Sequence, residues 1–297
     1  MTEDGYGVQQ LTGDIRCLRA RNPSAMTGTG TNTYLIETGA GTVVLDPGPD
    51  IASHHDGLLA CLAGAPVAAI LVSHAHLDHS ALAARLAGAT GARVMAYGAA
   101  TDGRSTVMQK LVASGLGDGG EGLDLAFKPD QRLSDGEILL FGDHQIEVLH
   151  CPGHLGGHLC FAMGGLLFSG DHVMGWATSL ISPPDGDMAD YMASLSRLAK
   201  RGWQQFLPGH GGAVSQPAAR LAELARHRLS RETEVLAAVT AGRQTAAEIA
   251  AVVYQGLPVP LQAAATRNVL AHLIDLDSRS RIFCASISGL ESKFTPI

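Results

Sequence analysis

The sequence predicts an α/β protein with a two-sheet core flanked by helices, followed by a small, mostly helical module. Three observations carry that expectation. Short apolar runs alternate with helix-compatible segments over the first 215 residues. Each cluster of histidine and aspartate lies just past the end of such a run, as expected when one rim of the sheets carries the chemistry. After Gln216 the composition changes and helical segments follow one another. The expected division is residues 1–215 and residues 216–297.

Residues 31–37 and 42–46 read as two strands joined across Gly39-Ala40-Gly41, and Asp46-Pro47-Gly48-Pro49 ends the second sharply. A helix is expected over residues 55–63. Residues 68–72 form an apolar strand that opens into Ser73-His74-Ala75-His76-Leu77-Asp78-His79, followed by helical composition over 80–86. Residues 92–97 are another strand. The stretch 99–124 is glycine-rich with one helical patch near Met108, and a mobile surface loop is expected there. Residues 137–141 and 145–149 pair across Gly142-Asp143, the second delivering His150-Cys151-Pro152-Gly153-His154. A hairpin of 159–163 and 166–169 turns at Gly164-Gly165 and delivers Gly170-Asp171-His172. Residues 187–201 read as a helix, and 203–207 as a strand delivering Pro208-Gly209-His210-Gly211. Helices over 217–241, from Thr245 onward and over 261–276, then a strand at 281–284, suggest a winged-helix-like module. Thr245 followed by Glu248 is a capping-box pattern.

The stretch from His74 to His79 organises the chain. Three imidazoles and a carboxylate within six positions are costly to desolvate unless paired or coordinated. Neutral imidazole and carboxylate are good ligands for Zn(II) and related ions. Alternation sends His74 and His76 to one side, so their nitrogens can share an ion, while Asp78 and His79 sit at the turn beside a neighbouring one. His154 follows a Pro-Gly turn, Asp171 follows Gly170, and His210 lies between two glycines that allow close backbone approach. One ion would take His74, His76 and His154, and the second Asp78, His79 and His210. Asp171 would bridge. Two cations ~3.5–4 Å apart can hold a bridging water and lower its pKa toward ~7. Asp46 either caps a turn or hydrogen-bonds a ligand imidazole. His158 is a candidate for the same supporting role and His172 for substrate contact. Trp176, Tyr191 and residues of 99–124 are expected to shape the pocket. Cys151 reads as packing.

With 46% hydrophobic and 16% charged residues the chain is globular. Its polar, acidic start argues against a signal peptide, and no apolar run reaches membrane-spanning length. Five scattered cysteines without a C-x-x-C pair read as reduced thiols of a cytoplasmic protein. Residues 1–219 hold 12 basic against 21 acidic side chains, which excludes a broad electrostatic attraction for nucleic acid in that part.

His74-Ala75-His76-Leu77-Asp78-His79 matches the H-x-H-x-D-H signature of the metallo-β-lactamase superfamily, and His154, Asp171 and His210 match the later ligands. The resemblance covers about the first 215 residues. It implies an αββα sandwich, usually two zinc ions per chain, and hydrolysis by a metal-bridging hydroxide. Asn22-Pro23, Gly30-Thr31-Asn32-Thr33-Tyr34-Leu35, Leu45-Asp46-Pro47-Gly48 and the terminal module resemble the lactamase-β-like branch. That branch includes single-strand endoribonucleases and fungal polyketide thioesterases. The best-known zinc β-lactamases have cysteine where this chain has Asp171, so antibiotic hydrolysis ranks low. Cys151 departs from the common threonine.

The expected activity is a dinuclear zinc-dependent hydrolase acting on an ester, thioester or phosphodiester, with Asp78 orienting the water or relaying a proton. Iron or manganese are alternative metals. The expected substrates are a small ester or thioester, or single-stranded RNA. Two other classes stay open: a mononuclear-iron persulfide dioxygenase, and a non-catalytic interaction protein. In the third helix of the terminal module only Arg267 is basic. That favours packing onto the catalytic part, narrowing of the cleft or a homodimer contact over reading of a nucleic-acid groove.

Overall fold

Two sheets pack face to face in the computed structural model, which describes residues 7–117 and 122–297. The first contains, in chain order, β1 (Val8–Gln10), β2 (Ile15–Arg19), β3 (Asn32–Thr38), β4 (Gly41–Leu45), β5 (Val67–Leu71), β6 (Val94–Ala96) and β7 (Gln131–Arg132). Strands β1 to β4 are antiparallel, β2 and β3 being joined by the long loop of residues 20–31, and β4 to β7 run parallel. Parallel neighbours need long crossovers. These are supplied by α1 (Ala52–Leu62), by α2 (Leu77–Ser80) with α3 (Ala83–Thr90), and by α4 (Thr106–Ala113). The second sheet holds β8 (Ile138–Phe141), β9 (His144–His150), β10 (Leu159–Met163), β11 (Leu166–Gly170) and β12 (Gln205–Pro208), with α5 (Met188–Leu198) crossing from β11 to β12.

Strand alternation sorts the apolar side chains into layers. Ile15, Tyr34, Ile36 and Leu45 meet Ile146, Val148, Phe161 and Phe168 between the sheets. On the outer faces, Leu35, Val44 and Ile70 bury Leu58, Leu62 and Leu86 of α1 and α3, while Cys160 and Leu167 meet Tyr191 and Leu195 of α5. Each such side chain contributes roughly 1.5–3 kcal/mol when fully buried. The result is the αββα sandwich.

The rest of the chain is α6 (Pro217–Thr240), α7 (Ala246–Val253), α8 (Val259–Ser278) and a ribbon of β13 (Ile282–Phe283) with β14 (Thr295–Pro296). It is a helical, winged-helix module. The Thr245 hydroxyl accepts the Glu248 N–H while the Glu248 carboxylate accepts the Thr245 N–H, so the capping box forms. Val235, Val239, Ile249, Val269 and Phe294 make a separate core.

Two expectations change. The stretch 99–124 was expected on the surface, but α4 buries Met108 and the following turn buries Leu116 in the core of the winged-helix module. Their apolar side chains are matched by a surface far away in sequence. Residues 118–121 of that stretch lie outside the described residues, as do residues 1–6. Strand β1 was not anticipated; all three of its residues are exposed, so it carries no alternation to read. Among the described residues no helix is long and apolar enough to cross a membrane.

Candidate metal centre

One rim of the sandwich gathers the ends of β4, β5, β9, β11 and β12. From the first sheet come Asp46 after β4, His74 and His76 after β5, and Asp78 and His79 on α2. From the second come His154 after β9, Asp171 after β11 and His210 after β12. All seven residues expected as ligands converge. His74 Nε2 lies 2.9 Å from His76 Nδ1, which lies 3.0 Å from His154 Nε2. Nitrogens on a tetrahedral zinc with ~2.0–2.1 Å bonds would sit roughly 3.3 Å apart. A second group, Asp78, His79 and His210, has His210 Nε2 3.2 Å from Asp78 Oδ2 and 3.3 Å from His79 Nε2. Asp171 reaches both groups: Oδ1 is 3.4 Å from His79 Nε2, and Oδ2 is 3.3 Å from His210 Nε2 and 3.9 Å from His154 Nε2.

The backbone makes this convergence possible. A Cβ on Gly209 would stand 2.5 Å from Asp171 Oδ1 and 2.6 Å from His79 Cε1, so only glycine lets the β12 turn close on the cluster. Gly153 (φ 141°) plays the same part beneath His154, where a Cβ would fall 2.4 Å from Tyr191 Cα.

Hydrogen bonds fix which imidazole nitrogen faces the cluster. His74 Nδ1 lies 2.9 Å from Ser73 Oγ, which donates to Asp46 Oδ2 at 2.7 Å. His79 Nδ1–H donates to the same Asp46 oxygen at 2.9 Å, and His154 Nδ1–H donates to Leu180 O at 2.6 Å. His210 Nδ1 lies 3.3 Å from Gly30 O. In each case Nε2 is the nitrogen directed into the cluster, the arrangement metal-binding histidines use. Of the two roles open to Asp46, the structure shows the hydrogen bond to an imidazole.

Electrostatics divide the cluster. Burial holds His74 and His154 below the ordinary imidazole range and His76 down to about 3, which favours neutral, ligand-competent rings. Burial also opposes charge on His79 and His210. The neighbouring carboxylates outweigh it, lifting His79 well up and His210 to about 9. Asp78 and Asp171, which burial alone would raise, are held low by those imidazoles. Divalent ions would answer the same demand for positive charge. Among the described residues Asp171 Oδ1 is buried with no hydrogen-bond partner, and the donor set is purely nitrogen and oxygen. These residues fit a pair of divalent cations.

A scan of known families matches residues 26–203 to the family described as Metallo-beta-lactamase superfamily, and residues 245–286 to Beta-lactamase associated winged helix domain. The chain belongs to the metallo-beta-lactamase superfamily. It is 29% identical over 286 residues to Beta-lactamase-like protein 2 homolog of Drosophila melanogaster, covering 93% of this chain and 91% of that one. It is 26% identical to the Atrochrysone carboxyl ACP thioesterase of Aspergillus chevalieri, over 80% of this chain and 69% of the relative. A solved beta-lactamase domain protein from Burkholderia ambifaria superposes with a TM-score of 0.79 at 22% identity, covering 98% and 93% of the two chains. Like its superfamily, the chain is a metal-dependent hydrolase.

Around the superfamily's cluster the supporting residues are partly those expected. His158 is fully buried, stacks on His74 with ring centroids 5.0 Å apart, and accepts the Asp171 N–H at 3.2 Å. His172, a candidate for substrate contact, stands among the fully buried residues. Its ring is fully buried against Tyr191, and burial lowers it to about 3. Tyr191 is likewise core, whereas Trp176 does line the cavity. Sequence reading missed Asn32, whose amide donates to Pro208 O at 3.0 Å and Gly211 O at 2.9 Å and so braces the His210 turn. It also missed the Thr31 hydroxyl, which donates to Asp78 Oδ2 at 3.1 Å.

The cluster opens into a cavity of about 430 Å³. His76, Asp78, His154, Asp171 and His210 form its floor, and Met26, Met174, Trp176 and Leu180 stand beside them. The opposite wall comes from the winged-helix module, as Tyr254, Leu257, Leu261, Ala264 and Ala265. Among the described residues, no lysine or arginine lines it.

Proposed function

We propose that this chain is a dinuclear zinc hydrolase of small esters or thioesters carrying an apolar acyl group. The observation that carries the substrate class is the cavity: apolar walls, two carboxylates at the floor and, among the described residues, no lysine or arginine. A phosphodiester chain calls for basic side chains along its path, so this lining favours a neutral acyl compound over single-stranded RNA. The thioesterase among the relatives supports the same choice.

His74, His76 and His154 would hold one ion and Asp78, His79 and His210 the other, with Asp171 reaching both. When bound, such ions supply Lewis acidity and a water acidic enough to attack near neutral pH. The protein's own groups do the rest. Apolar walls seat the acyl chain and exclude bulk water, so the carbonyl presents itself to the floor in one orientation. Asp78, its Oδ2 anchored by Thr31, faces the cavity and orients the attacking water or takes its proton. Hydrolysis forms one carbon–oxygen bond and breaks the carbon–sulfur or carbon–oxygen bond, and the leaving group departs with a proton. Asp46 serves as the shared anchor of His74, through Ser73, and of His79.

We also propose that residues 1–215 form the catalytic domain and 216–297 a second domain that closes the cavity. The five free cysteines support a reducing, cytoplasmic setting.

The deciding experiment offers Zn(II)-loaded protein an acyl thioester, a lactam, a phosphodiester and single-stranded RNA. Thioester turnover well above the others, with two zinc ions per chain, is the expected result. Preferential RNA cleavage overturns the substrate class. One iron per chain with oxygen consumption overturns the hydrolytic chemistry.

A further inference from the structure

The segment between β11 and α5 has no regular secondary structure, and the helices of the C-terminal module hold it by its backbone. Arg220 of α6 donates from Nε to Met174 O at 2.7 Å and from Nη2 to Ala177 O at 2.6 Å. Asn268 of α8 accepts the Ile181 N–H at 3.0 Å. Between them lies Arg228 of α6, only 1% exposed. Its Nη2 donates to Ser179 O, its Nη1 lies 3.4 Å from Asn268 Oδ1, and its guanidinium sits 5.1 Å from the centre of the Tyr191 ring. Among the described residues, its contacts are two neutral oxygens and a ring face, with no carboxylate. A cation buried in this way is costly, and simple packing between helices could be done by leucine or methionine.

What Arg228 holds leads directly to the cluster. Ser179 Oγ, itself buried, lies 2.5 Å from Asp171 O and 2.9 Å from His172 O and donates to that pair. The next residue, Leu180, supplies the carbonyl that receives the Nδ1–H of His154 at 2.6 Å. Two residues of the cluster, one from each of two different strand ends, therefore take their orientation from three consecutive residues, Ser179 to Ile181. Arg228 and Asn268 pin both ends of that triplet.

We propose that Arg228 is a positioning residue for the metal centre: it fixes the Ser179–Ile181 backbone so that Leu180 O orients His154 and the Ser179 hydroxyl anchors Asp171. The proposal rests on the reading that His154 and Asp171 are ligands. Arginine suits the task because its planar fork serves two acceptors in different directions while its face stacks on Tyr191. A lysine ammonium, as a point charge, does not reproduce that geometry.

The test uses the full chain loaded with Co(II), whose visible absorption reports ligand geometry, together with competition measurements of metal affinity and thioester kinetics. Arg228→Met and Ser179→Ala are each expected to weaken metal binding by roughly 10–100-fold, the usual effect of losing a partner that orients a ligand. Both should change the Co(II) band and lower kcat while leaving KM within about twofold. Arg228→Lys should recover part of the affinity without restoring the wild-type band. Should Arg228→Met fail to fold, Ser179→Ala carries the measurement alone, since it removes one hydroxyl and almost no volume. Wild-type affinity and an unchanged band in Ser179→Ala, with or without Arg228→Met, overturn the proposal. A wild-type protein that binds no Co(II) overturns instead the reading of His154 and Asp171 as ligands.

Discussion

Asp46 Oδ2 accepts the Nδ1–H of His79 at 2.9 Å while Oδ1 accepts the backbone N–H of Ser73 at 2.7 Å, so one carboxylate ties the strand exit before the histidine motif to the helix that follows it. Asp46 does so from a left-handed backbone conformation, φ 50°. Asparagine tolerates that conformation but offers one acceptor oxygen fewer. Asp46→Asn should therefore fold, yet bind metal about 10–100-fold more weakly. Titration with a chromophoric chelator measures this; undiminished affinity would remove Asp46 from the centre's support.

Asp171 stands within 4 Å of nitrogens from both groups and, among the described residues, has a buried oxygen that makes no hydrogen bond. Asp171→Ala should abolish thioester turnover, by at least about 10³-fold, the scale on which losing a central electrostatic group acts. It should also reduce bound metal from two equivalents. Retained turnover would show that the carboxylate does not join the two groups.

Asn32 donates to two carbonyls of the His210 turn, Pro208 O and Gly211 O. Asn32→Leu keeps the branched shape and removes both bonds; Gly211 O is left without that donor, at a cost of roughly 1–3 kcal/mol, while Pro208 O keeps the Tyr34 hydroxyl at 2.7 Å. A fall in thermal midpoint together with loss of the metal held by His210 is the expected pair. A midpoint that falls without any change in metal content would reduce Asn32 to a purely architectural role.

Ala264 faces the cavity from α8. Ala264→Phe should fill part of the 430 Å³ and select against long acyl chains, raising their KM by about 10-fold while acetyl thioesters are handled nearly as before. Equal effects on short and long acyl groups would mean that the chain lies elsewhere.

His54, away from the cluster, is pushed down to about 4 by burial, and its Nε2 lies 2.9 Å from Thr33 Oγ1. An unfolded histidine titrates near ~6.5. Between those two values the unfolded chain binds a proton there that the native chain does not, so stability falls as pH drops from about 6.5 toward 4. His54→Gln should flatten that decline by at most about 1.4 kcal/mol per pH unit. Denaturant titrations at pH 7 and pH 5 on chelator-treated protein compare the two. Parallel declines would mean that His54 is protonated in the native state.

The sandwich from β3 onward was legible because most strand ends are marked by glycine, proline or both, and because alternation separates the core layer from the outer faces. The cluster was legible for a related reason: His154, Asp171 and His210 each stand beside a glycine, which permits the positive φ and the close approach found there. The supporting residues were harder to read. Leu180 contributes a backbone carbonyl, which leaves no side-chain signature, and Asn32 acts across 176 residues of chain. His172 and Tyr191 looked like pocket residues because they follow Asp171 closely, but the turn after β11 directs them into the core. Met108 and Leu116 needed their partners in α6 to α8 before their burial made sense.

The cavity's two walls have separate origins: the floor with its histidines and carboxylates comes from the strand ends, and the roof comes from α8 and the turn between α7 and α8. Apart from Asn268, which also holds the backbone beside the cluster, the residues of the roof can drift without disturbing the floor. Exchanging residues 245–265 for another sequence of the same helical pattern, with Asn268 kept, would retune what is accepted, which makes that short cassette the natural handle for redesign.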